Sequence, residues 1–256
     1  MGLLELRNIT KQFGGLTAVG NVNISVADKE IYGLIGPNGA GKTTIFNLIT
    51  GIYELTEGEI HFAGKRIDQL ETFKIADSGI TRTFQNIRLF KNLSTFDNIL
   101  TACHYNTNYS LFDSIVRSKA HRNGEKILFE QAEELLGILG LESRRDIVAK
   151  NLPYGLQRRL EIARALALRP KLLLLDEPAA GMNPEETIQL LNLIKEVRDK
   201  FDLTILVIEH HMDLIMNLCN RITVLNFGSE LATGTPQQIQ SNPKVVEAYL
   251  GEEVEE

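Results

Sequence analysis

The run Gly36-Pro37-Asn38-Gly39-Ala40-Gly41-Lys42-Thr43 follows the pattern G-x-x-x-x-G-K-S/T. That wording suits a phosphate. Glycines let backbone N–H groups turn inward around phosphate oxygens, and a helix starting behind them adds partial positive charge. Lys42 reaches the β- and γ-phosphates of a nucleotide as a point charge. Thr43 offers its hydroxyl to Mg2+, and Thr44 offers one on the α-phosphate side. A glycine-rich turn before a helix would explain part of this run, but not eight matched positions in that context.

A second constellation sits far along the chain. Residues 172–177 read LLLLDE, a greasy strand delivering two carboxylates at its C-terminal end, where α/β sheets hold ligands. Asp176 is suited to hold Mg2+ through water, and Glu177 to polarise a water attacking in line with the γ-phosphate. A helix cap ahead of Pro178 would account for one carboxylate and not for a partnership with Lys42.

Both constellations need a sheet to carry them. LLELRNIT (3–10), NVNISVA (21–27) and EIYGLIG (30–36) have strand character, with a turn at Asp28-Lys29-Glu30. KTTIFNLITG reads as a helix closed by Gly51, and EIHFAGKRI as a hairpin centred on Gly64. From about Phe90 to Leu141 the pattern turns helical, interrupted by a polar insert (104–125) expected as a loop or short helical excursion. KLLLLD and LTILVIE are strands buried on both faces, each followed by a helix. RITVLNFG and SELATGT close a hairpin around Gly228, and the acidic tail GEEVEE is expected to fray. The fold class is α/β with a mixed sheet, an antiparallel N-terminal part and a helical subdomain inserted at about 90–160. Residues 1–256 are expected to form a single domain.

Composition narrows the function. The chain has 256 residues, 43% hydrophobic and 23% charged, with a net charge of −6. An acidic balance argues against nucleic acid as the main partner. Cys103 and Cys219 lack a metal-ligand spacing and are expected as reduced, partly buried thiols. No signal peptide is expected, and no apolar run approaches the ~20 residues of a spanning helix. The chain itself is therefore expected to be soluble, with any membrane role coming through a partner.

Between the two constellations lies LPYGLQRRLEIARAL, a turn opening into an arginine-rich helix. With it, over about residues 3–250 and in the same motif order, the chain resembles the ATP-binding cassette (ABC) ATPases, which have a P-loop NTPase core. The resemblance implies that Pro153, Tyr154, Gly155 and Gln157, with Leu152 and Leu156, form the turn that completes the ATP site of an opposite subunit. Pro153 stands where the family commonly has serine, and Leu156 where it has glutamine. Gln85, in TRTFQN, matches the glutamine that senses Mg2+ and water. His210 matches the switch histidine at the γ-phosphate, and neighbouring His211 reads as solvated. Phe13 matches the aromatic ring that stacks on adenine. Asn183 follows Ala180-Gly181-Met182 where the family often has aspartate, and joins the turn in the opposite site. Arg158, Arg159 and Arg164 read as support for a charged helix face.

Within that family, the wording LPYG, RRLEIARAL, TRTFQNIRLFKNLSTFDNIL, IEHHMDLIM and NPKVVEAYLG is similar to ATP-binding subunits of branched-chain amino acid importers. Urea importers and lipopolysaccharide-export ATPases share part of it. The resemblance implies ATP and Mg2+ as ligands, and a second cassette ATPase, identical or different. It also implies two membrane permeases, an extracytoplasmic solute-binding protein, and a peripheral position at the cytoplasmic face of the membrane. Ile87, Leu89, Phe90 and Leu93, rimmed by Arg88 and Lys91, are expected either to receive a short permease helix or to belong to the subdomain core. A soluble phosphotransferase would not need the Gly155 turn. A DNA-repair cassette would carry a long coiled-coil insertion, and a ribosomal one a second cassette in the same chain; neither is found here.

Overall fold

The computed structural model describes residues 2–107, 113, 115, 118–210 and 212–250. The chain folds as two compact units. The first comprises Met1–Arg82, Lys171–Ala180 and Ile194–Glu256; the second comprises Thr83–Pro170 and Gly181–Leu193.

The first unit holds two sheets. Strands β1 (Leu4–Phe13), β2 (Leu16–Val26), β4 (Glu57–Phe62) and β5 (Lys65–Arg66) form an antiparallel sheet in the order β2-β1-β4-β5. Strands β3 (Ile31–Ile35), β6 (Ile80–Arg82), β7 (Leu172–Asp176), β8 (Thr204–Ile208), β9 (Arg221–Asn226) and β10 (Ser229–Gly234) form the second, in the order β10-β9-β3-β8-β7-β6. Its pairings are parallel except for the hairpin β9–β10. Every residue of β3, β7 and β8 is buried, as continuous apolar runs in a parallel sheet require. Helix α1 (Lys42–Ile49) buries Ile45, Phe46, Leu48 and Ile49 in a core shared with Leu4, Leu6 and Ile60 of one sheet and Leu34, Leu174 and Leu206 of the other. Helix α2 (Thr72–Asp77) precedes β6, and α7 (Met212–Leu218), α8 (Pro236–Gln240) and α9 (Pro243–Leu250) follow the later strands.

The second unit is helical. Its members are α3 (Thr95–Cys103), α4 (Lys119–Ile138), α5 (Tyr154–Ala167) and the first half of α6 (Pro184–Phe201), which passes into the first unit at Ile194. Ser94 caps α3 by accepting the Asp97 N–H, and Ser118 caps α4 by accepting that of His121. The unit takes in more chain than the stretch 90–160 marked by periodicity.

Several boundaries differ from the sequence expectation. β1 runs on to Phe13 and β2 already begins at Leu16, because Gly14-Gly15 makes a tight hairpin whose register shifts break the alternation. β6 and α2 are too short to show a period. Residues 83–93, expected as helical in part, take neither helix nor strand. The C-terminal part of the polar insert is the start of α4, whose apolar stripe of Leu128, Ala132, Leu135 and Leu136 is narrow enough to leave a mostly polar helix. Most of the rest of that insert, His211 and the tail GEEVEE lie outside the described residues.

Both cysteines are free and buried. Burial pushes the Cys103 thiol up to about 11, and raises that of Cys219 further. Since the thiolate is the nucleophile, native protein at about pH 8 should resist iodoacetamide at both positions. Mass spectrometry should find neither modified until denaturant is added.

Candidate functional site

The parallel strands of the first unit end on one edge of the sheet. Leu34 and Asp176 both pair with Ile208, so Gly36 after β3, Glu177 after β7 and Glu209-His210 after β8 follow from neighbouring strands. The phosphate loop turns at Gly36, where φ is 149° and a Cβ would stand 2.1 Å from the Leu225 carbonyl oxygen. At Gly41, φ is 99° and a Cβ would stand 2.6 Å from the Ala18 carbonyl oxygen. Lys42 is buried, with 5% exposure, and its ammonium donates to the carbonyl oxygens of Gly36 (2.6 Å) and Pro37 (2.8 Å). The amine thus closes the loop on itself. No side chain caps α1 at Gly41, so its first N–H groups suit an anion. Thr43 is exposed and Thr44 half-buried, while Asn38 and Gly39 are exposed and Ala40 is buried beneath them.

Asp176 is buried and accepts a hydrogen bond from Arg82 Nη2 at 2.6 Å. The other terminal nitrogen of Arg82 donates to Asn47 Oδ1 at 2.7 Å, tying the end of β6 to both α1 and the acidic strand. Glu177 adopts φ 46°, a left-handed conformation disfavoured for a side chain of this size. Its N–H donates to the Ile208 carbonyl at 3.0 Å, and its Oε1 lies 2.5 Å from His210 Nε2. Buried Glu209 accepts the Ala179 N–H at 2.9 Å, which steadies the chain leaving Glu177. Phe13, 43% exposed at the end of β1, meets the Tyr53 ring edge-on at 5.2 Å, with the Lys11 ammonium 4.9 Å from its centroid. Thus Lys42, Thr43, Asp176, Glu177 and His210 share one sheet edge. Arg82 and Glu209 were not singled out from sequence, where one charged residue among many gives no signal.

Gln85, Pro153, Tyr154, Gly155, Gln157 and Asn183 belong to the second unit. Pro153 is the N-cap of α5 and supplies no capping side chain. Gln157 turns its amide back onto the Leu152 carbonyl at 2.8 Å. Gly155 is buried, and a Cβ there would meet the Glu186 carboxylate at 3.1 Å. That Glu186 accepts the Asn183 N–H at 3.1 Å, while Asn183 Oδ1 accepts the Glu186 N–H at 2.9 Å. The pair is a reciprocal cap on α6, so Asn183 already has structural work. Leu156 is half-buried and lines a cavity of about 60 Å3 with Pro153, Met182 and Leu190.

One expectation is corrected here. Arg158 is not part of a charged helix face: it has no exposure and is bonded to Glu161, to main-chain oxygens at Phe84 and Gln85, and to the Tyr154 hydroxyl. Arg164 also packs inward, donating to the Arg88 carbonyl with its guanidinium 4.6 Å from the Phe90 ring centroid. Burial lowers its pKa below the usual arginine value. Phe90 and Leu93 are exposed, Ile87 and Leu89 half-buried. Buried Asn98 pins their loop, accepting from the Phe90 N–H and donating to the carbonyls of Phe90 and Ser94.

A cradled phosphate loop and an acidic strand end on one sheet edge, in a chain whose helical unit carries a glycine turn at the start of α5, define an ATP-binding cassette. The family description "ABC transporter" matches residues 19–180, and the chain belongs to that family as an ATP-binding cassette ATPase. A second description, "Branched-chain amino acid ATP-binding cassette transporter", matches residues 230–255. The chain is 46% identical over 250 residues to the high-affinity branched-chain amino acid transport ATP-binding protein BraF of Pseudomonas aeruginosa, and 46% identical to LivG of Escherichia coli. Each match covers 98% of this chain and 98% of the relative. Among solved structures, the ADP conformation of an ATP-binding cassette of an ABC transporter aligns with TM-score 0.85 at 34% identity, covering 98% of this chain and 99% of that one. A nucleotide-free cassette aligns at 0.83, also with 34% identity, covering 97% and 99%.

The glycine geometry gives a paired prediction. Gly36→Ala drives a Cβ into backbone and should cost more than about 3 kcal/mol, whereas Gly39→Ala, open around its Cβ, should cost about 1 kcal/mol of backbone strain. Chemical denaturation of the two variants reads the difference. Leu156→Gln, which buries a polar group beside Met182 and Leu190, should lower stability by about 1–2 kcal/mol and leave ATPase activity unimproved.

Proposed function

We propose that this chain is the ATP-hydrolysing motor of a membrane importer for branched-chain amino acids. The observation that carries the ATPase chemistry is the 2.5 Å pair of Glu177 and His210 on the same sheet edge as Lys42. Support for the solute comes from BraF and LivG, matched along almost their whole length, and from the C-terminal match at 230–255.

In this reading Phe13 stacks on adenine and the loop from Gly36 to Thr44 wraps the phosphates. Lys42 exchanges its carbonyl partners for phosphate oxygens. Glu177 takes a proton from the water that attacks the γ-phosphorus, and the bond to the ADP oxygen breaks as the new P–O bond forms. His210 fixes the Glu177 carboxylate through its ring nitrogen and reaches the γ-phosphate. The hydroxyl of Thr43 and the carboxylate of Asp176, through water, are hard oxygen donors that would hold Mg2+, and the resemblance to the family assigns the amide oxygen of Gln85 to the same ion. Among the described residues no group of three acidic, histidine or cysteine side chains is arranged to hold a metal. When bound, Mg2+ neutralises charge on the phosphates.

The site is completed by a second cassette, whose turn corresponds to Pro153, Tyr154, Gly155 and Gln157, with Asn183 nearby. Pro153 brings neither hydroxyl nor N–H, and Glu186 sets a carboxylate beside Gly155, so this chain offers a weak half-site to its partner. Among the described residues no helix is long and apolar enough to cross a membrane. In the reading supported by BraF and LivG, membrane permeases carry the solute, this chain sits peripherally at the cytoplasmic face, and Phe90 and Leu93 present apolar surface to a permease helix. A solute-binding protein on the far side delivers the cargo, and nucleic acid has no part.

Purified with its permeases and reconstituted in vesicles, the assembly should take up leucine, isoleucine and valine when ATP is supplied. Uptake of urea in their place would move it to the urea importers, and absence of any co-purifying permease would remove the transport reading. Lys42→Ala should weaken ATP binding by about 10- to 100-fold, as loss of charge-assisted hydrogen bonds predicts; binding can be followed with a fluorescent nucleotide. Glu177→Gln and His210→Ala should each lower kcat by about 100-fold or more while leaving ATP affinity near wild type. With ATP, the Glu177→Gln variant should elute as a dimer on size exclusion.

A further inference from the structure

Arg158 lies one turn beyond Gly155 on α5 and is the largest fully buried side chain of the described residues. Nη1 donates to the Phe84 carbonyl and to Glu161 Oε2, both at 2.7 Å. Nη2 donates to the Gln85 carbonyl at 2.9 Å and to the Tyr154 hydroxyl at 3.3 Å. Glu161, another turn along, accepts the N–H of Phe84 at 3.3 Å and that of Arg88 at 3.2 Å through Oε1. The two side chains therefore grip the main chain on both sides of Gln85, in a stretch with no helix or strand of its own. Burying two charges costs several kcal/mol per ion before pairing, and an apolar pair would hold a helix in place as well or better. What an apolar pair lacks is a planar fork and a carboxylate that can bind four main-chain groups at once.

We propose that Arg158 and Glu161 are positioning residues for Gln85. They fix the backbone that carries it, in register with the Tyr154-Gly155 turn on the same helix. Gln85 then answers to one ATP site while the turn serves another, and both move with α5. This rests on the reading of Gln85 as a group of the hydrolytic site. The pair sets turnover and leaves nucleotide affinity to the phosphate loop and Phe13.

The test replaces both charges together, Arg158→Met with Glu161→Met, in the full-length chain, so that no lone charge stays buried. Hydrogen exchange at the Phe84 and Arg88 amides should quicken by about tenfold or more, since each loses its acceptor. Exchange as slow as in the unmodified chain would overturn the grip. In ATPase assays kcat should fall by about tenfold or more with KM for ATP within about twofold. Added to Gln85→Ala, the pair should cause little further loss, because the three residues act as a unit. Multiplicative losses, or a defect confined to KM, would overturn the positioning role. Should the double variant not fold, Arg158→Lys keeps the charge without the fork and leaves Glu161 as acceptor for the Phe84 and Arg88 amides, so it is read by the split of kcat against KM and by additivity with Gln85→Ala. If the unmodified chain hydrolyses no ATP, the ATPase reading falls while the exchange measurement still decides the grip.

Discussion

Backbone meets backbone around the phosphate loop, and most of the candidate site follows from that contact. The Leu225 carbonyl of β9 stands where a side chain at Gly36 would begin, and the Ala18 carbonyl of β2 does the same at Gly41. The hairpin after β9 adds a further tie: the Gly228 N–H donates to the Ala40 carbonyl at 3.2 Å, and the Gly20 N–H donates to the Gly228 carbonyl at 2.8 Å. Both sheets of the first unit therefore mould the loop before any phosphate arrives. Preorganised N–H groups bind an anion without first being ordered, which is where much of their binding strength originates. Lys42 belongs to the same arrangement, its ammonium holding the loop carbonyls that would otherwise repel an incoming phosphate.

Rigid strands also tolerate a residue that is not at ease. Glu177 keeps a left-handed backbone because β7 is buried along its whole length and its N–H is tied to Ile208. A conformation of this kind costs of order 1–3 kcal/mol and survives only where its surroundings over-determine it. The return is direction: the carboxylate is turned to His210 rather than back along the strand. Burial of the sheet and strain at its edge are two aspects of one construction.

Much of this was legible in the amino-acid sequence. Continuous apolar runs gave β7 and β8, strand character in EIYGLIG gave β3, and glycine spacing gave the phosphate loop, because these signals are local. Hairpins at Gly64 and Gly228 were likewise readable from turn chemistry. What escaped was set by tertiary partners. A three-residue β6 has no period to detect, the first turns of α4 are polar because only a narrow stripe is covered, and the residues 83–93 are held by Arg158, Glu161 and Asn98 rather than by a helix of their own. Arg158 illustrates the limit well. Its sequence neighbours make it look like one more surface cation, and only the fold reveals that its guanidinium faces main-chain oxygens more than seventy positions away.

Glu186 has a consequence for how this protein can change over time. One carboxylate both caps α6 through Asn183 and lies against the α-carbon of Gly155. Those two positions therefore do not evolve independently. A substitution that enlarged residue 155 would need the Glu186 side chain to give way, straining the bond it accepts from the Asn183 N–H while Asn183 Oδ1 still holds the Glu186 N–H. Conversely, a lineage that strengthened the turn by restoring a hydroxyl at Pro153 would still carry the negative charge beside it until Glu186 changed as well. Improvement of this half-site is thus epistatic, requiring a second replacement whose own first effect is to remove one of the two bonds that tie Asn183 to the start of α6.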